Sequence, residues 1–250
     1  MDILPVLDLL NGLVVRGVGG KRNEYRPIQS RLVDRPDVLS VARAFRNQLG
    51  LTRLYVADLD AILHGRPNRE ACRSLAEDGF ELLVDAGLRT VESARTVLAD
   101  GAEQFIAGLE TWPGPDELAE LCRDVGRNRV IFSLDMVRGR PLGNLVPWRT
   151  EDALEIAVRA VEAGAREIIV LDLAQVGVGA GVTTGPLCRQ LRQRFAELRL
   201  ITGGGVRQPE DLIELAALGI DGVLVASAFH DGRVTRDDVR RFVPAGNRDC

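Results

Sequence analysis

An internal repeat restricts the folds open to this chain more than any other feature of its sequence. Residues 84–112 align with residues 202–230 in one frame without a gap, and the alignment pairs Gly87 with Gly205. Further identical pairs in this frame are Arg89 with Arg207, Glu92 with Glu210, Ala99 with Ala217 and Gly101 with Gly219. Matches at a fixed distance are typical of a duplicated structural unit. The repeat therefore predicts a fold made of two similar halves.

Eight short aliphatic runs alternate with eight amphipathic stretches along the chain. The runs are Ile3–Leu9, Leu54–Asp58, Glu81–Asp85, Gln104–Gly108, Val130–Asp135, Glu167–Leu173, Arg199–Thr202 and Gly222–Ala226. Continuous apolar runs, rather than alternating ones, are typical of parallel strands buried on both faces. Eight β/α units in 250 residues have the size of a (β/α)8 TIM barrel. A doubly wound sheet is the alternative, but even spacing without a long linker favours a closed barrel.

We therefore predict one TIM-barrel domain of the α/β class over residues 1–250, with half-barrels at about 1–125 and 126–245. A two-fold repeat of four units places the first strand opposite the fifth. The similarity of Leu4–Asp8 to Ile131–Asp135 supports that correspondence.

The composition excludes several classes of function. Hydrophobic residues make up 46% and charged residues 27% of the chain, which is ordinary for a globular protein and excludes a disordered one. The formal net charge is −4 and no dense Lys/Arg face is visible, so we predict no nucleic-acid partner. No run approaches the roughly 20 apolar residues of a membrane helix. Without a signal sequence before the first strand, we predict a cytoplasmic protein that does not bind membranes.

Cysteine and histidine are too few and too scattered to suggest a metal centre. The four cysteines are Cys72, Cys122, Cys188 and Cys250, and the two histidines are His64 and His230. No C-x-x-C pair occurs, so we predict neither a structural zinc site nor a disulfide framework. We also predict no cofactor, and the sequence leaves the oligomeric state open.

Motifs at four strands resemble those of the histidine-biosynthesis barrel family. They are Pro5-x-Leu7-Asp8-Leu9 with Asn11-Gly12 and Val14-Val15-Arg16, then Leu134-Asp135, Gly203-Gly204-Gly205-Val206, and Val223-x-Val225-Ala226-Ser227. The resemblance covers essentially the whole chain in order, and Gly143–Trp148 resembles a loop of the family's isomerase branch. It implies an Amadori-type conversion of a phosphorylated aminoaldose into an aminoketose.

Asp8 and Asp135 are the predicted catalytic pair. Each ends an aliphatic strand at the edge where TIM barrels carry their chemistry, and opposite strands bring the two carboxyls face to face. An Amadori rearrangement needs an acid that opens the sugar ring and a base that takes the C2 proton, and two carboxyls in different environments can divide these tasks. The resemblance implies that Asp8 is the base and Asp135 the acid. A strand-end Asp that caps a loop or helix is the alternative.

The loops after the seventh and eighth strands form a predicted phosphate site. Gly203, Gly204 and Gly205 leave backbone N–H groups free to approach an anion. Ala226 and Ser227 open a short helix whose first N–H groups add donors. TIM barrels commonly bind phosphate between these two loops. A tight turn that merely needs glycine is the alternative.

Four further residues are predicted to bind the substrate. They are Arg16, His64, Trp148 and Asp172. The Arg16 charge suits a phosphate, His64 follows the second strand on the catalytic side, and the resemblance implies that Trp148 stacks on an imidazole of the substrate. Asp172 ends the sixth strand, where it contacts ligand or caps a loop. Ordinary surface, packing or loop roles are the alternatives for the other three.

The glycine-rich segment 17–27 after the first strand is a candidate lid. It would bring Arg22 or Arg26 to the substrate when it closes. A solvated loop is the alternative interpretation.

The third and fourth units depart from the phosphate-binding pattern. The family's isomerase substrate has a phosphate at each end, and the loops after strands 3 and 4 hold the second one. The corresponding segments here are Val84-Asp85-Ala86-Gly87 and Ala107-Gly108-Leu109-Glu110. Carboxylates at Asp85 and Glu110 repel a phosphate by several kcal/mol in a desolvated pocket. We therefore predict one retained phosphate site and one lost site.

Three functions fit this sequence. The first is an aldose–ketose isomerase of the histidine-biosynthesis type acting on a phosphorylated aminosugar. The second is a divergent paralogue, a lyase or synthase that uses a smaller, singly phosphorylated substrate. The third is a non-catalytic binding subunit. The acidic end favours a ligand with an amine, a cationic group or neutral hydroxyls there.

Overall fold

Eight parallel strands close into a barrel in a computed structural model, which describes residues 1–242. The strands are β1 (Asp2–Leu10), β2 (Arg53–Asp58), β3 (Glu81–Asp85), β4 (Gln104–Gly108), β5 (Val130–Val137), β6 (Glu167–Asp172), β7 (Arg199–Gly203) and β8 (Gly222–Val225). Each strand pairs with the next along the chain, and β8 pairs with β1 to complete the circle. The predicted (β/α)8 TIM barrel is confirmed.

Helices follow the strands and surround the barrel. They are α1 (Val38–Ala44), α2 (Arg69–Glu77), α3 (Val91–Ala99), α4 (Pro115–Val125), α5 (Ala153–Glu162), α6 (Gly185–Arg194), α7 (Pro209–Ala217) and α8 (Arg236–Arg240). A π-helical turn, Phe45–Leu49, extends α1, and short helices Leu59–His64 and Ser227–His230 follow β2 and β8. Local signals begin several helices: the Asp37 side chain accepts the Ser40 N–H, Thr90 forms a capping box, and Pro209 occupies the first turn of α7.

The sequence repeat is also a structural repeat. The alignment that pairs Gly87 with Gly205 superposes the bounds of β3 on those of β7, and the bounds of α3 on those of α7. Both glycines have positive φ, +60° and +106°, a conformation that side chains disfavour. The two halves therefore keep the same turn after the strand. The proposed half-barrel limit at residue 245, like Cys250, lies outside the described residues.

The apolar core has two layers. Inside the barrel, side chains such as Leu4, Leu83, Ile106 and Ile201 form one buried cluster. A larger cluster fills the space between strands and helices, and it includes Phe45, Phe105, Phe132 and Phe229. With aromatic residues at only 4% of the chain, aliphatic side chains make up most of the barrel interior, with Tyr55 the aromatic member of that cluster.

A ring of polar side chains fills the end of the barrel where the strands begin. Arg53 donates to Asp2 at 2.8 Å and to Gln104 at 2.5 Å, and Gln104 donates to Glu167 at 2.8 Å. Arg199 donates to Glu167 at 2.8 Å and to Asp2, which closes the ring. Gln104 and Glu167 are buried, yet both have partners. The ring therefore links five strands at the end away from the predicted chemistry.

A hairpin at the mouth was not predicted as a strand pair. After β1 the chain turns at Asn11 and Gly12, both with positive φ, and Leu13–Arg16 runs back antiparallel to β1. Asn-Gly is a strong signal for a tight two-residue hairpin, so the sequence did contain the information. The hairpin fixes where the glycine-rich segment 17–27 leaves the barrel.

Three cysteines in the described part of the chain, Cys72, Cys122 and Cys188, are buried free thiols. Among residues 1–242, no group of His, Cys, Asp and Glu side chains is arranged to hold a metal ion. No helix in the same range is both long enough and apolar enough to cross a bilayer.

Candidate active site

One cavity opens at the ends of the strands where the predicted catalytic residues lie. Predicted site residues that line it are Asp8, Asp135, Gly204, Gly205, Ala226 and Ser227. Asp85 and Glu110, predicted to disfavour a second phosphate, line the same cavity, as does Arg22. The structure therefore brings together the predicted carboxyl pair, the predicted phosphate loops and the acidic end. Arg16, His64, Trp148, Asp172 and Gly203 lie outside the cavity wall.

Asp8 and Asp135 approach the cavity from β1 and β5, on opposite sides of the barrel. Burial raises the pKa of Asp8 to about 7; the backbone N–H of Gly17 opposes the shift and the charge of Asp85 adds to it. Burial also raises the pKa of Asp135 to about 7, again with help from Asp85. The Ser133 hydroxyl donates to Asp135 at 2.8 Å and opposes the rise. Near neutral pH each carboxyl can therefore gain or lose a proton, as acid–base chemistry requires.

Asp85 ends β3 and forms the acidic wall of the cavity. Its carboxylate accepts the Gly87 N–H at 3.1 Å and the Tyr55 hydroxyl at 3.3 Å. Burial raises the pKa of Asp85 to about 6, although both hydrogen bonds lower it. Together with Glu110, Asp85 concentrates carboxyl groups at one end of the cavity. We call Asp85 and Glu110 the β3–β4 end.

Tyr55 is a polar residue of the cavity that was not predicted from the sequence. It lies on β2 with its side chain inside the barrel, and burial raises the pKa of its hydroxyl well above the usual value. It therefore stays protonated and serves as a donor. One signal was available: the chain has only two tyrosines, and this one interrupts an aliphatic strand.

The glycine-rich segment after β1 lies across the mouth. The Gly19 N–H donates to the carbonyl of Val176 at 2.7 Å, so the segment contacts the loop after β6. The Arg22 guanidinium faces the cavity and donates twice to Glu110, at 3.2 and 2.8 Å. Arg26 instead donates to the carbonyl groups of Asn23 and Tyr25. Of the two arginines considered for a lid, Arg22 is the one positioned at the site.

The loops after β7 and β8 form the opposite wall. Gly204 and Gly205 have φ of +74° and +106°, and a side chain at Gly204 would come within 3.1 Å of Leu171. Gly203 lies behind them, where a Cβ would come within 2.6 Å of that of Leu224. The glycine run is thus required by close packing, as the tight-turn interpretation held, while two of its members also line the cavity.

The wall made of Gly204, Gly205, Ala226 and Ser227 is called the β7–β8 cradle. Its Ser227 is buried, with 8% of its surface exposed, and lines the cavity. No carboxylate belongs to this wall, in contrast to the β3–β4 end. Gly204 and Gly205 have no side chain and those of Ala226 and Ser227 are small, so this wall leaves room in the cavity.

Two predicted substrate-binding residues have polar partners outside the cavity. Arg16 forms a bidentate pair with Asp231 at 2.8 and 2.9 Å. Asp172 is buried and accepts N–H groups from Arg138, Gly139 and Ala174 at 2.8 to 3.0 Å. Asp172 thus caps the adjacent loops, which is the role given above as the alternative to ligand binding.

The other two predicted substrate-binding residues also lie outside the cavity wall. His64 is exposed at the end of the short helix Leu59–His64. Trp148 is fully buried, and its ring centroid lies 5.1 Å from that of Phe132. The indole N–H of Trp148 has no hydrogen-bond partner among residues 1–242. Stacking of Trp148 on a substrate stays a prediction, and it requires this loop to move.

The chain is similar to known proteins over nearly its whole length. A family model described as histidine biosynthesis protein matches residues 2–235. A Streptococcus sanguinis protein is 28% identical, with 96% of this chain and 97% of that protein covered. A Thermus thermophilus protein is 30% identical, with coverages of 94% and 96%, and a Cyanothece protein is 31% identical, with coverages of 98% and 94%. Each is named 1-(5-phosphoribosyl)-5-((5-phosphoribosylamino)methylideneamino)imidazole-4-carboxamide isomerase.

Proposed function

Because the chain belongs to the histidine biosynthesis protein family, we propose that it is an aldose–ketose isomerase that carries out an Amadori rearrangement on a phosphorylated aminosugar. The observation that carries the proposal is the shared cavity of Asp8 and Asp135, two carboxyls whose pKa values are both raised to about 7. The isomerase name of the similar proteins supports the same reaction class.

In the first proposed step Asp135 acts as the acid. Its carboxyl proton passes to the ring oxygen of the aminoaldose as the bond between C1 and that oxygen breaks. The electron pair on nitrogen forms the C1=N bond of a protonated Schiff base, and Asp135 is left as a carboxylate. Burial favours this role, since it holds the proton on Asp135 until the ring oxygen can accept it.

In the second proposed step Asp8 acts as the base. It takes the C2 proton, and the electrons of that C–H bond move through C1 to neutralise the nitrogen, which gives an enaminol. Tautomerisation then places the carbonyl at C2 and a proton at C1, and the product is the aminoketose. The raised pKa of Asp8 makes its carboxylate a stronger base than an exposed one.

The β7–β8 cradle is proposed to hold the phosphate of the substrate. A dianion here lies at the wall without carboxylates, and the free N–H groups of a glycine-rich turn suit it. Anchoring at one end positions the reacting carbons between the two catalytic carboxyls. A cytoplasmic setting, with the buried thiols reduced, belongs to the same proposal.

A second candidate function is favoured by the β3–β4 end. Asp85 and Glu110 line the cavity across from the β7–β8 cradle, where a second phosphate of an extended substrate would lie. Carboxylates there oppose a dianion by several kcal/mol. The alternative is therefore a divergent lyase or synthase that uses a smaller substrate with one phosphate, and with an amine or hydroxyls at the other end.

Turnover assays with purified protein test these proposals. Isomerisation of the doubly phosphorylated substrate, or rescue of an isomerase auxotroph, supports the first function. Lyase or synthase turnover of a singly phosphorylated substrate, without isomerisation, supports the second. The proposed chemistry is wrong if folded wild-type protein converts neither class. If Asp8→Asn and Asp135→Asn also leave its biological activity unchanged, a non-catalytic binding subunit is indicated.

A further inference from the structure

We propose that Arg233 is a positioning residue for phosphate: it ties the two loops of the β7–β8 cradle together and orients Ser227 toward the ligand. The inference rests on the proposed function, because it assumes that the cradle takes a phosphate. Arg233 lies between the short helix Ser227–His230 and α8, outside the cavity wall, and neither motif nor repeat singled it out.

The guanidinium of Arg233 joins the two cradle loops directly. One of its nitrogens donates to the carbonyl oxygen of Arg207 at 2.7 Å. That carbonyl follows the glycine turn after β7, two positions beyond Gly205. Another nitrogen donates to the hydroxyl oxygen of Ser227, after β8, at 3.3 Å. A single side chain therefore sets the spacing of the two loops from which the cradle is built.

The same contact fixes how the Ser227 hydroxyl is used. A guanidinium has donors only, so Ser227 must act as the acceptor toward Arg233. Its own proton is left free to be donated elsewhere, and Ser227 lines the cavity. A phosphate oxygen in the cradle is the acceptor that this geometry suits. Without Arg233 the hydroxyl can rotate and donate to a protein acceptor instead.

Arg233 also brings positive charge behind the cradle. It donates to Asp231 at 3.0 Å, and Arg16 holds the same carboxylate in a bidentate pair. These hydrogen bonds, from Arg16 first, hold the pKa of Asp231 below its usual value, so the carboxylate stays charged. Two guanidinium groups on one carboxylate leave one net positive charge. A phosphate oxygen bonded to Ser227 lies about 6 Å from Arg233, within the screening length of roughly 10 Å at 0.1 M salt.

Through Asp231, Arg16 contributes indirectly to the phosphate site. Its side chain does not reach the cavity, but it shares Asp231 with Arg233 and so holds that carboxylate in place. The charge predicted for Arg16 at the phosphate therefore acts one layer behind the wall. Arg233 is the member of the group that touches the cradle itself.

Binding of inorganic phosphate to the full chain tests the proposal, measured by calorimetry on wild type, Arg233→Met and Arg233→Lys. We expect Arg233→Met to weaken phosphate binding about ten-fold, as for loss of a charge-assisted contact. Arg233→Lys keeps the charge and restores part of the affinity. With substrate, the expected change is in KM more than in kcat. Arg240→Met is the matched control, since Arg240 is exposed and pairs with Asp237, and it should bind phosphate like wild type.

A double-mutant cycle with Ser227→Ala separates positioning from general stability. If Arg233 acts through Ser227, the losses in phosphate affinity from the two substitutions do not add. The proposal is overturned if Arg233→Met lowers Tm but binds phosphate like wild type, or if the losses are additive. Should Arg233→Met fail to fold, the cycle with Arg233→Lys decides by the same criterion.

These experiments can refute the proposed reaction and the proposed role of Arg233 separately. Wild-type protein that binds phosphate but isomerises no aminosugar refutes the proposed reaction and leaves the role of Arg233 standing. Wild-type protein that binds no phosphate at millimolar concentration overturns the role of Arg233, whatever its activity.

Discussion

The β3–β4 end and the β7–β8 cradle occupy matching places in the two halves of the barrel, yet their charges are opposite. In the repeat frame Asp85 corresponds to Gly203 and Glu110 to Ala228. The first half presents two carboxylates with Arg22 lying over one of them, whereas the second presents small residues backed by Arg233. The turn glycines Gly87 and Gly205 are the same in both.

This difference shows which positions of a duplicated unit cannot change because of close packing. A Cβ at Gly87 would come within 2.9 Å of the Ile62 backbone, so the turn tolerates no side chain in either half. The strand-end position before it carries Asp85 in one half and Gly203 in the other. Backbone geometry is thus shared between the halves, while the chemistry at the tips differs.

The largest expected effect concerns the pair Asp8 and Asp135, to which each half of the barrel contributes one carboxyl. Asp8→Asn or Asp135→Asn should lower kcat about 10³-fold, since each removes a proton-transfer group. Steady-state kinetics beside a Tm measurement check this, with Asp116→Asn at an exposed position as the control. A loss below ten-fold in a folded variant contradicts the assignment of that carboxyl.

Making the first half resemble the second should change which substrate is preferred. In the double variant Asp85→Gly/Glu110→Ala, the repulsion of a second phosphate is removed. We expect kcat/KM for a doubly phosphorylated substrate to rise about 100-fold relative to a singly phosphorylated one, equivalent to about 3 kcal/mol. Competition assays with both substrates measure the ratio, and Glu120→Ala, at an exposed site, is the control. If the ratio of the two kcat/KM values is unchanged, the β3–β4 end does not determine substrate specificity.

The two ends should also respond oppositely to pH. The folded-state pKa of Asp85 is raised to about 6, so its contribution to stability is complete below the unfolded-state value and is lost as pH rises through 6. Asp85→Asn should therefore be more stable than wild type at pH 8, by about 2 kcal/mol, and similar at pH 4. Denaturant unfolding at the two pH values measures this.

Asp211, beyond the β7 turn, provides the contrast. Hydrogen bonds from Arg207 outweigh its burial and lower its pKa, so its contribution is present at neutral pH and is lost as pH falls. Asp211→Asn should destabilise at pH 8 and less at acidic pH. If the stabilities of Asp85→Asn and Asp211→Asn, each relative to wild type, change with pH in the same direction, the two ends do not differ in electrostatics as proposed.

The smallest expected effect concerns Arg22, the cation over the acidic end. Its guanidinium occupies the place beside Glu110 that a substrate amine would use. Arg22→Met should therefore tighten binding of an amine-bearing sugar phosphate about three-fold, a change typical of a partly exposed ion pair. Inhibition constants for matched amine and hydroxyl analogues check this, with Lys21→Met as the control. Weaker binding of the amine means that Arg22 assists the ligand rather than competing with it.

The aliphatic runs in the sequence predicted the barrel strands well, because each run reflects the burial of its own strand on both faces. The bounds of β3 and β4 were predicted to the residue, since aliphatic runs define them. The grouping of Asp8 with Asp135 followed from the repeat, which fixes opposite strands.

Side-chain partners across the fold could not be predicted in the same way. The pairing of Arg16 with Asp231 joins residues far apart in the chain, and no local pattern encodes it. The burial of Trp148 against Phe132 likewise depends on how one loop packs. Tyr55 was missed because an inward position on a strand looks apolar from sequence spacing alone.

The polar ring at the opposite end of the barrel has a consequence for how such a protein can evolve. Five strands each supply one member, so replacing Glu167 removes one hydrogen-bond partner from Gln104 and one from Arg199, and the expected cost is in stability. We therefore expect substitutions that lower folding stability to lie at this ring, at the opposite end of the barrel from Asp8 and Asp135. Substitutions at the strand tips leave this ring intact, so the chemistry of the cavity can change while the ring continues to link the five strands.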